Sequence, residues 1–580
     1  MQLLGKPFSG HNRYNTHEKL GERGLWTDRN SRLSLAARAI RTMLSLILVV
    51  FLFGFAGCST IVTDDPTLSP NNPNNSQINL GDAPYAPYTA KDGTWAIYWY
   101  ICGSDLELRD DLRFTPTGQL QEMMSVTLPS NVTVVVETGG AQRWHNDFTD
   151  PSVINRFLYR GNKLTPLESQ PLANMGDPKT LADFLTFCNQ NYPAEKQMVL
   201  IYDHGGGSLM GVAFDDLYDM DSISLPQLQQ AISSRPAASG AYEIVGLSAC
   251  LMSTIETVAA LNGLTRYYVA SEEVQLGCSW DYAALFGAIA KNPAINGAAL
   301  GKAIADGYAA QCKQIGYTCY TTLSVVDMSY ADDLLKAYND MGIELLEGAA
   351  TGGAEYIAAF GRAAYESENY GALKTPTSAY DMVDLGDLVI NARDLLPDSS
   401  AAMLRAISDA VVYHVTNPLR ADGHGISCYY PYTNSSRYFS WYLQLDTPPA
   451  FKFFYDYAFK GTLSQEGQAY LASLTAPPPP PPPLPPSSTL GLDDISIAVY
   501  GNGSWWLELV DRASLVTAVY IQIGMYDSSN DRFIMFGTKG DLYADWEYGL
   551  FREEFSGCWG SIDGSLCYME AISEGTGFIL

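Results

Sequence analysis

The sequence predicts an α/β fold with a mostly parallel sheet, followed by a smaller all-β domain. Two observations support the first part: apolar runs alternate with segments of helical periodicity, and reactive motifs directly follow two of those runs. Because strands that alternate with helices form parallel sheets covered on both faces, this pattern predicts a three-layer α/β/α sandwich. A third observation, alternation of hydrophobic and polar residues after position 490, predicts an antiparallel C-terminal domain.

Length and composition narrow the class of protein. A chain of 580 residues exceeds one ordinary hydrophobic core, so it predicts at least two domains. Hydrophobic residues make up 47% of the chain and charged residues 17%, which is typical of a globular protein. The formal net charge of -28 repels phosphate backbones, so we expect no nucleic-acid partner.

The N-terminal segment has the pattern of a bacterial export signal. Residues 43–56 form an apolar run that is short for a membrane span, and Arg38 and Arg41 precede it. The run leads into Gly57-Cys58, which resembles a lipobox, so Cys58 is the predicted lipidation site. An ordinary signal peptide, or a short anchor that ends in Cys, is the alternative. We therefore expect a protein of the bacterial cell envelope, lipid-anchored on the periplasmic or extracellular face.

Composition divides the chain into five predicted parts. Residues 1–58 form the signal peptide, and residues 59–93, rich in Asn and Pro, form a flexible tether. The main domain spans residues 94–470. Residues 471–489 hold a proline run that forms an extended spacer, and residues 490–580 form the antiparallel β domain.

Predicted strands and helices alternate through the main domain. The apolar runs predict buried strands at 95–101, 132–138, 198–203, 242–248 and 266–271. Helical periodicity predicts helices at 180–192, at about 225–234 and at 251–261. The first of these helices has one apolar face, made of Leu181, Phe184, Leu185 and Cys188. Residues 281–460 have mainly helical patterns, except for one strand at 425–431.

Reactive residues follow two of the predicted strands. Strand 198–203 leads into His204-Gly205, and strand 242–248 leads into Ala249-Cys250. Ligands of open α/β sheets bind beyond the carboxyl ends of the strands, where this pair predicts a thiol nucleophile and an imidazole base. The amides of Gly205 and Cys250 are the predicted oxyanion donors. We also expect Cys250 to begin a helix, whose dipole and a neighbouring imidazolium would lower the pKa of the thiol. The alternative is a buried structural Cys and a hydrogen-bonded His.

Several motifs in order resemble one family of enzymes. DHGGG at 203–207 and SACLM at 248–252 are similar to the clostripain family of cysteine peptidases, as are ICGSDLE at 101–107 and YVASEEVQLGCSWDY at 268–282. The resemblance covers about residues 94–460. It implies a caspase-like fold, with His204 as base or leaving-group acid, Cys250 as nucleophile and Gly205 as an oxyanion donor. It also implies that Ser248, Ser271 and Glu272 contact the substrate.

The sequence departs from that family beside the nucleophile. Most members have Asp two residues before the Cys, where it pairs with a basic P1 side chain, and here the position is Ser248. A buried cation without its partner costs about 3–5 kcal/mol, so we expect no preference for Arg or Lys at P1. Glu272 or Glu273 could replace the missing acid. Arg235, the one basic residue between His204 and Cys250, precedes a proline, so self-processing at a basic residue is not expected.

The sequence thus predicts an exported, lipid-anchored cysteine endopeptidase that acts on protein or peptide substrates. We expect no cofactor. The acidic stretch 215–221 could bind calcium, but it lacks EF-hand spacing and is interpreted as a solvated loop. The alternative function is a catalytically silent surface lipoprotein that binds peptide or glycan through its β domain. Retention of both His204 and Cys250 favours the enzyme.

Overall fold

The computed structural model describes most of the chain beyond the N-terminal segment. The described residues are 93–235, 240–275, 280–314, 321–371, 381–432, 435–474 and short stretches between 495 and 579. The predicted signal peptide, the predicted lipidation site Cys58 and residues 475–489 of the predicted proline spacer lie outside these residues, whereas residues 471–474 of that spacer are helical. Among the described residues, no helix is long and apolar enough to cross a membrane.

Strands are numbered in chain order. They are β1 Trp95–Cys102, β2 Val132–Gly139, β3 Val153–Arg160, β4 Lys163–Pro166, β5 Gln170–Pro171, β6 Lys196–Tyr202, β7 Val212–Asp215, β8 Asp221–Ile223, β9 Tyr242–Ser248, β10 Thr265–Ala270, β11 Thr322–Asp327, β12 Asn369–Tyr370, β13 Met382–Asp384, β14 Val411–Thr416, β15 Ser427–Tyr429, β16 Ile495–Val499, β17 Trp505–Leu509, β18 Ile521–Asp527, β19 Arg532–Lys539, β20 Tyr543–Asp545, β21 Leu550–Glu553, β22 Trp559–Ile562, β23 Ser565–Cys567, β24 Ile572–Glu574 and β25 Gly577–Ile579.

Helices are numbered in the same way. They are α1 Pro116–Met124, α2 Pro178–Asn191, α3 Gly207–Met210, α4 Leu225–Ile232, α5 Ile255–Leu261, α6 Tyr282–Lys291, α7 Gly297–Gln314, α8 Ala331–Glu366, α9 Leu385–Asn391, α10 Ser400–Ala410, α11 Ser436–Tyr442, α12 Pro449–Lys460 and α13 Gln465–Leu474. Helix α8 is kinked at Gly353, which has a left-handed φ of 60°. A short 3₁₀ helix, Asp105–Leu108, follows β1.

One large sheet organises the main domain. Its strand order is β14-β11-β10-β9-β6-β1-β2-β3-β4, and β5 also pairs with β3. The central strands β10, β9, β6, β1 and β2 are parallel, whereas the strands at both edges are antiparallel. The predicted α/β fold with a mostly parallel sheet is confirmed. The parallel centre places the carboxyl ends of β1, β6 and β9 next to one another.

Helices cover both faces of this sheet, which makes the predicted three layers. Side chains of β1 alternate between two hydrophobic cores: Tyr98 and Tyr100 lie in one, and Trp95, Ile97 and Trp99 lie in the other. All eight residues of β1 are buried, because a central strand of a parallel sheet has no solvent face. Helices α2, α4, α5 and α8 bury apolar residues in the first core, and α6 and α7 bury theirs in the second.

The structure contains strands that the sequence reasoning missed. Predicted strands β1, β2, β6, β9 and β10 and predicted helices α2 and α4 are present within a few residues of their expected bounds. The region predicted as mainly helical also contains β11 and β14, which extend the sheet antiparallel. Strand β14 is only half-buried and follows helix α10 without a break. The hydrophobic pattern of its residues therefore does not distinguish a strand from a continuation of the helix.

The helix predicted to begin at Cys250 begins later. Helix α5 starts at Ile255, and the side chain of Thr254 caps it by accepting the amide of Thr257. Residues 250–251 form a turn in which Leu251 has a φ of 64°, a left-handed conformation that leucine rarely adopts. The N-terminus of the helix, with the positive end of its dipole, therefore begins at its cap Thr254, four residues after Cys250.

The C-terminal strands form several small antiparallel sheets. Strands β16, β17, β21 and β20 make one sheet, and β18 with β19, β22 with β23 and β24 with β25 make hairpins. A short segment between β17 and β18 contacts helix α8, where Arg362 donates hydrogen bonds to the carbonyls of Ser514 and Val516 at 3.2 and 2.9 Å. The expected all-β character after residue 490 is present in the described stretches.

Candidate active site

The candidate site lies at the carboxyl ends of β6 and β9. The two strands are parallel neighbours in a register that pairs Tyr202 with Ser248, and the amide of Asp203 donates to the carbonyl of Ser248 at 3.4 Å. His204 and Cys250 each follow these register partners by two residues. The pairing therefore brings the two predicted catalytic loops to the same edge of the sheet, as the sequence predicted.

Gly205 lies directly against the loop of Cys250. A Cβ atom at position 205 would come within 2.1 Å of the Cys250 carbonyl oxygen and within 2.9 Å of its amide nitrogen. Any side chain here would have to push two backbone segments apart. A glycine after His204 is thus required by the close approach of the two loops.

The two predicted oxyanion donors are available in this arrangement. Among the described residues, the amides of Gly205 and Cys250 donate no hydrogen bond. By contrast, the amide of Gly206, the next residue in the His204 loop, donates a hydrogen bond to the carbonyl of Gly211 at 2.8 Å. Free amides beside a thiol are the groups that an oxyanion would bind.

The His204 ring is held on two sides. Its Nε2 atom lies 2.5 Å from Oδ1 of Asp105, and Phe214 meets the ring edge to face, with centroids 6.4 Å apart. Burial lowers the pKa of His204, but the bond with Asp105 and the charge of Asp203 raise it more, and the net pKa lies above its ordinary value.

Asp203 stabilises the loop of His204 through a hydrogen bond to the backbone. Its carboxylate accepts a hydrogen bond from the amide of Phe214, so it also fixes the residue that flanks His204. Burial raises the pKa of Asp203 to about 7, and the charge of His204 lowers it in part. Asp203 therefore changes charge close to neutral pH, directly next to the imidazole in sequence.

Cys250 is held by the backbone of Gln275. The amide of Gln275 donates to Sγ of Cys250 at 3.2 Å, and the thiol faces the carbonyl of the same residue at 3.7 Å. Burial raises the pKa of Cys250 to about 11, which outweighs the lowering effect of the Gln275 amide. The expectation of a lowered pKa is wrong for this state, because the thiol is desolvated and does not begin a helix.

A largely buried ion network holds the segment around Gln275 in place. The carboxylate of Glu273 lies 2.5 Å from Nη2 of Arg420, and Nη1 of Arg420 lies 2.7 Å from Glu368. The amide of Leu251 donates to the carbonyl of Glu273 at 3.2 Å. Three distant parts of the chain thus converge on the backbone that contacts the thiol.

Two predicted substrate contacts, Ser271 and Glu272, are fully buried. The hydroxyl of Ser271 donates to the carbonyl of Glu273 at 2.9 Å and meets Thr322 at 2.9 Å. Burial, and then the neighbouring Asp384 carboxyl, raise the pKa of Glu272 well above its usual range. In this state the Ser271 hydroxyl supports the segment beside Cys250, and contact of either side chain with a substrate stays a prediction.

Ser248 lies at the end of β9 and contacts Tyr282, one ring of an aromatic stack. Its Oγ atom accepts a hydrogen bond from the hydroxyl of Tyr282 at 2.9 Å, and it is 2% exposed. The ring of Tyr282 stacks on Trp99, with centroids 4.5 Å apart. The position at which the family resemblance implies Asp therefore holds a buried, neutral Ser that bonds to Tyr282.

The sequence reasoning missed Asp105 as part of this site. It belongs to the motif ICGSDLE, which contributes to the family resemblance but by itself indicates no role for the Asp. The missing signal is topological: β1 is the parallel neighbour of β6 on the side opposite β9. Residues that follow β1 therefore reach the same edge of the sheet as His204.

No group of three His, Cys, Asp or Glu side chains in the described part of the chain is arranged to hold a metal ion. Within the acidic stretch 215–221, Asp215 is buried and accepts the amides of Met175 and Leu217 at 2.7 and 2.8 Å. The interpretation as a solvated loop is wrong for Asp215, because that carboxylate orders the backbone instead of facing solvent.

We predict that alkylation of Cys250 in the resting protein rises steeply with pH. Because its pKa is about 11, the reactive thiolate fraction grows about tenfold per pH unit across the neutral and mildly alkaline range. Mass spectrometry of the Cys250 peptide after timed iodoacetamide treatment measures the rate. Free cysteine, treated in parallel, should level off about 2.5 pH units earlier. A Cys250 rate that is already constant at pH 8 would contradict this assignment.

Comparison with known proteins identifies relatives of the main domain. The family model described as Clostripain family matches residues 113–460, which is more than half of the chain. Clostripain from Hathewaya histolytica is 27% identical over 97 residues. That match covers 14% of this chain and 18% of clostripain, so it spans less than a fifth of that relative.

Solved structures of similar proteins also match. A secreted C11 cysteine protease from Bacteroides thetaiotaomicron, in complex with an irreversible peptide inhibitor, is 17% identical with a TM-score of 0.45, covering 61% of this chain and 97% of that one. An inactive zymogen C11 protease from Parabacteroides distasonis is 18% identical with a TM-score of 0.46, covering 62% and 98%. With the family match over residues 113–460 and the motifs at the ends of β6 and β9, the chain belongs to the clostripain family of cysteine peptidases.

Proposed function

We propose that the protein is a cysteine endopeptidase in which Cys250 is the nucleophile and His204 exchanges its proton. The observation that supports this most directly is the strand register, which pairs Tyr202 with Ser248 and so sets both loops at one sheet edge. The close approach of Gly205 to Cys250 keeps the loops in contact. A thiol, an imidazole and two free amides at one edge are the parts that acyl transfer requires.

In the first half of the reaction, Sγ of Cys250 attacks the carbonyl carbon of the scissile bond. The thiol proton passes to His204, and the amides of Gly205 and Cys250 bind the oxyanion. His204 then gives this proton to the leaving amine as the C–N bond breaks, which leaves a thioester on Cys250. Because burial raises the pKa of the resting thiol to about 11, the thiol is protonated at neutral pH, and the mechanism needs His204 to accept its proton.

In the second half, water hydrolyses the thioester. His204 takes a proton from the water, the hydroxide adds to the acyl carbon, and the proton returns to Sγ as the C–S bond breaks. All of these steps use side chains and amides of the chain itself, so we propose a mechanism without a cofactor. His204 must be neutral to accept a proton, so activity should increase as pH rises through its raised pKa.

We predict that Cys250→Ala and His204→Ala each reduce kcat for peptide hydrolysis by at least about 10³, because each removes a reacting group. Labelling by a thiol-directed peptide inhibitor should disappear in Cys250→Ala. Circular dichroism should show an unchanged fold. His145→Gln is a matched control, because its side chain is exposed. Full turnover by Cys250→Ala would refute the assignment of the nucleophile.

We further propose that the enzyme has no preference for Arg or Lys at P1. Ser248 carries no charge and bonds to Tyr282. Of the two acids that could replace the missing Asp, Glu273 is paired with Arg420, and Glu272 is fully buried with a raised pKa. A guanidinium buried near Ser248 would thus lose its hydration without gaining a counter-charge.

We predict that Ser248→Asp shifts selectivity towards basic P1 residues. The new carboxylate supplies the missing counter-charge, so kcat/KM for an Arg substrate should rise at least about tenfold relative to a matched neutral substrate. Ser248→Asn is the control, because it adds similar bulk without charge and should leave the ratio unchanged. Kinetics with substrates that differ only at P1 provide the measurement. A wild-type preference for Arg of a hundredfold over every neutral residue would contradict this proposal.

We also propose export and lipid anchoring through Cys58. The support is the sequence pattern alone: an apolar run at 43–56 preceded by Arg38 and Arg41, and Gly57-Cys58 at its end. A single acyl chain binds membranes only marginally, whereas the multiple chains of a bacterial lipoprotein anchor it stably. The predicted tether at 59–93 would then separate the peptidase domain from the membrane.

We predict that the full-length protein made in a bacterial host partitions into the detergent phase, and that Cys58→Ser removes lipidation and shifts it to the aqueous phase. The reason is that Cys58 is the predicted acceptor of the lipid. Triton phase separation measures the partition, and mass spectrometry of the mature N-terminus identifies the modification. An unmodified mature N-terminus downstream of Cys58 would refute the anchor.

A further inference from the structure

A third residue reaches the candidate site from strand β1. Strand β6 has two parallel neighbours, β9 on one side and β1 on the other. The register pairs Ile101 with Tyr202 and Tyr202 with Ser248. The segment that follows β1 therefore lies on one side of the His204 loop, and the Cys250 loop lies on the other side.

The contact between Asp105 and His204 is the closest polar contact that the ring makes among the described residues. Oδ1 of Asp105 lies 2.5 Å from Nε2 of His204, and the side chains are 44% and 19% exposed. Burial raises the pKa of Asp105, but the bond with His204 and the charges of His204 and Arg109 lower it more, so the net pKa lies below its ordinary value. Asp105 is therefore a carboxylate at neutral pH and accepts the ring N–H.

The backbone around Asp105 is built to hold it there. Ser104 is fully buried and has a φ of 46°, a conformation that non-glycine residues rarely adopt. The amide of Gly103 donates to the carbonyl of Gly139 at 2.7 Å, which ties the turn to β2. The 3₁₀ helix Asp105–Leu108 begins directly after this strained turn, and its first residue contacts His204.

Glu107 fixes the same 3₁₀ helix through hydrogen bonds to two other segments of backbone. Its buried carboxylate accepts the amides of Thr117 and His145 at 2.8 and 2.7 Å. Leu106 is 7% exposed and lies in the hydrophobic core. Two residues of the Asp-Leu-Glu motif thus fix the helix, which leaves the Asp105 carboxylate in a defined place at the site.

We propose that Asp105 is the positioning residue of the His204 base: it accepts Nε2–H, orients the ring and leaves Nδ1 as the nitrogen that exchanges the proton with Cys250. The inference rests on the proposed function. It follows because a neutral imidazole carries one proton, and a carboxylate beside Nε2 keeps that proton on Nε2. Asp203 and Arg109 also act on the ring electrostatically, but His204 forms its ring hydrogen bond with Asp105.

The test measures the ring of His204 directly. The full-length Cys250→Ala protein is labelled with ¹⁵N in its histidine rings, of which the chain has six, and His204 is assigned by its loss in His204→Gln. We expect the neutral ring to be the Nε2–H tautomer. Adding Asp105→Ala should produce a mixture of tautomers and lower the pKa, because burial then acts without the bond that opposes it.

Two further variants separate orientation from charge. Asp105→Asn keeps an oxygen acceptor but loses the charge, so it should lower the pKa of His204 while retaining the Nε2–H tautomer. In the Cys250 enzyme, Asp105→Ala should reduce kcat by about 100-fold with KM changed less than about twofold, as expected for a misplaced base. Asp110→Asn removes an exposed charge from the same segment and should leave kcat, tautomer and pKa unchanged.

The outcomes distinguish this inference from the proposed function. An Nδ1–H tautomer in the parent protein, or an unchanged tautomer and pKa in Asp105→Ala, would overturn the role of Asp105 whatever the enzyme hydrolyses. Should Asp105→Ala fail to fold, an unchanged pKa in Asp105→Asn would overturn it equally. Hydrolysis that survives both Cys250→Ala and His204→Ala would instead refute the proposed function.

Discussion

The parallel register of β1, β6 and β9 is the constraint on which the candidate site depends. It aligns Ile101 with Tyr202 and Tyr202 with Ser248, so three loops leave the sheet side by side. A shift of one residue would turn every side chain of a strand to the opposite face, and both hydrophobic cores would lose their contacts. The packing that stabilises the fold therefore also sets the spacing of Asp105, His204 and Cys250.

The site combines a desolvated thiol with a charged support for the imidazole. Burial keeps Cys250 protonated at neutral pH, while Asp105 and Asp203 raise the proton affinity of His204. Both environments favour the protonated form of their group, so a thiolate–imidazolium ion pair is disfavoured because the thiol keeps its proton.

Strands and site residues that are marked by patterns in neighbouring residues could be predicted from the sequence. Features that depend on contacts between distant parts of the chain could not. Strands β1, β6 and β9 have continuous apolar runs, and His204 and Cys250 follow them directly, so fold class and site position were predictable. Asp105 was not, because its role depends on β1 lying next to β6. The turn at Leu251 opposes local propensity, and the Glu273–Arg420 pair joins residues 147 positions apart, for which a single sequence has no signal.

That long separation has a consequence for the timing of synthesis. The backbone that contacts Cys250 is held by Glu273, and the guanidinium of Arg420 that neutralises Glu273 is made 147 residues later. At about 5–20 residues per second, a ribosome needs on the order of ten seconds to cover that distance. During this interval the nascent chain already contains both His204 and Cys250, but Glu273 still lacks its counter-ion. The loop that holds the nucleophile is therefore completed late, when most of the peptidase domain has already been synthesised.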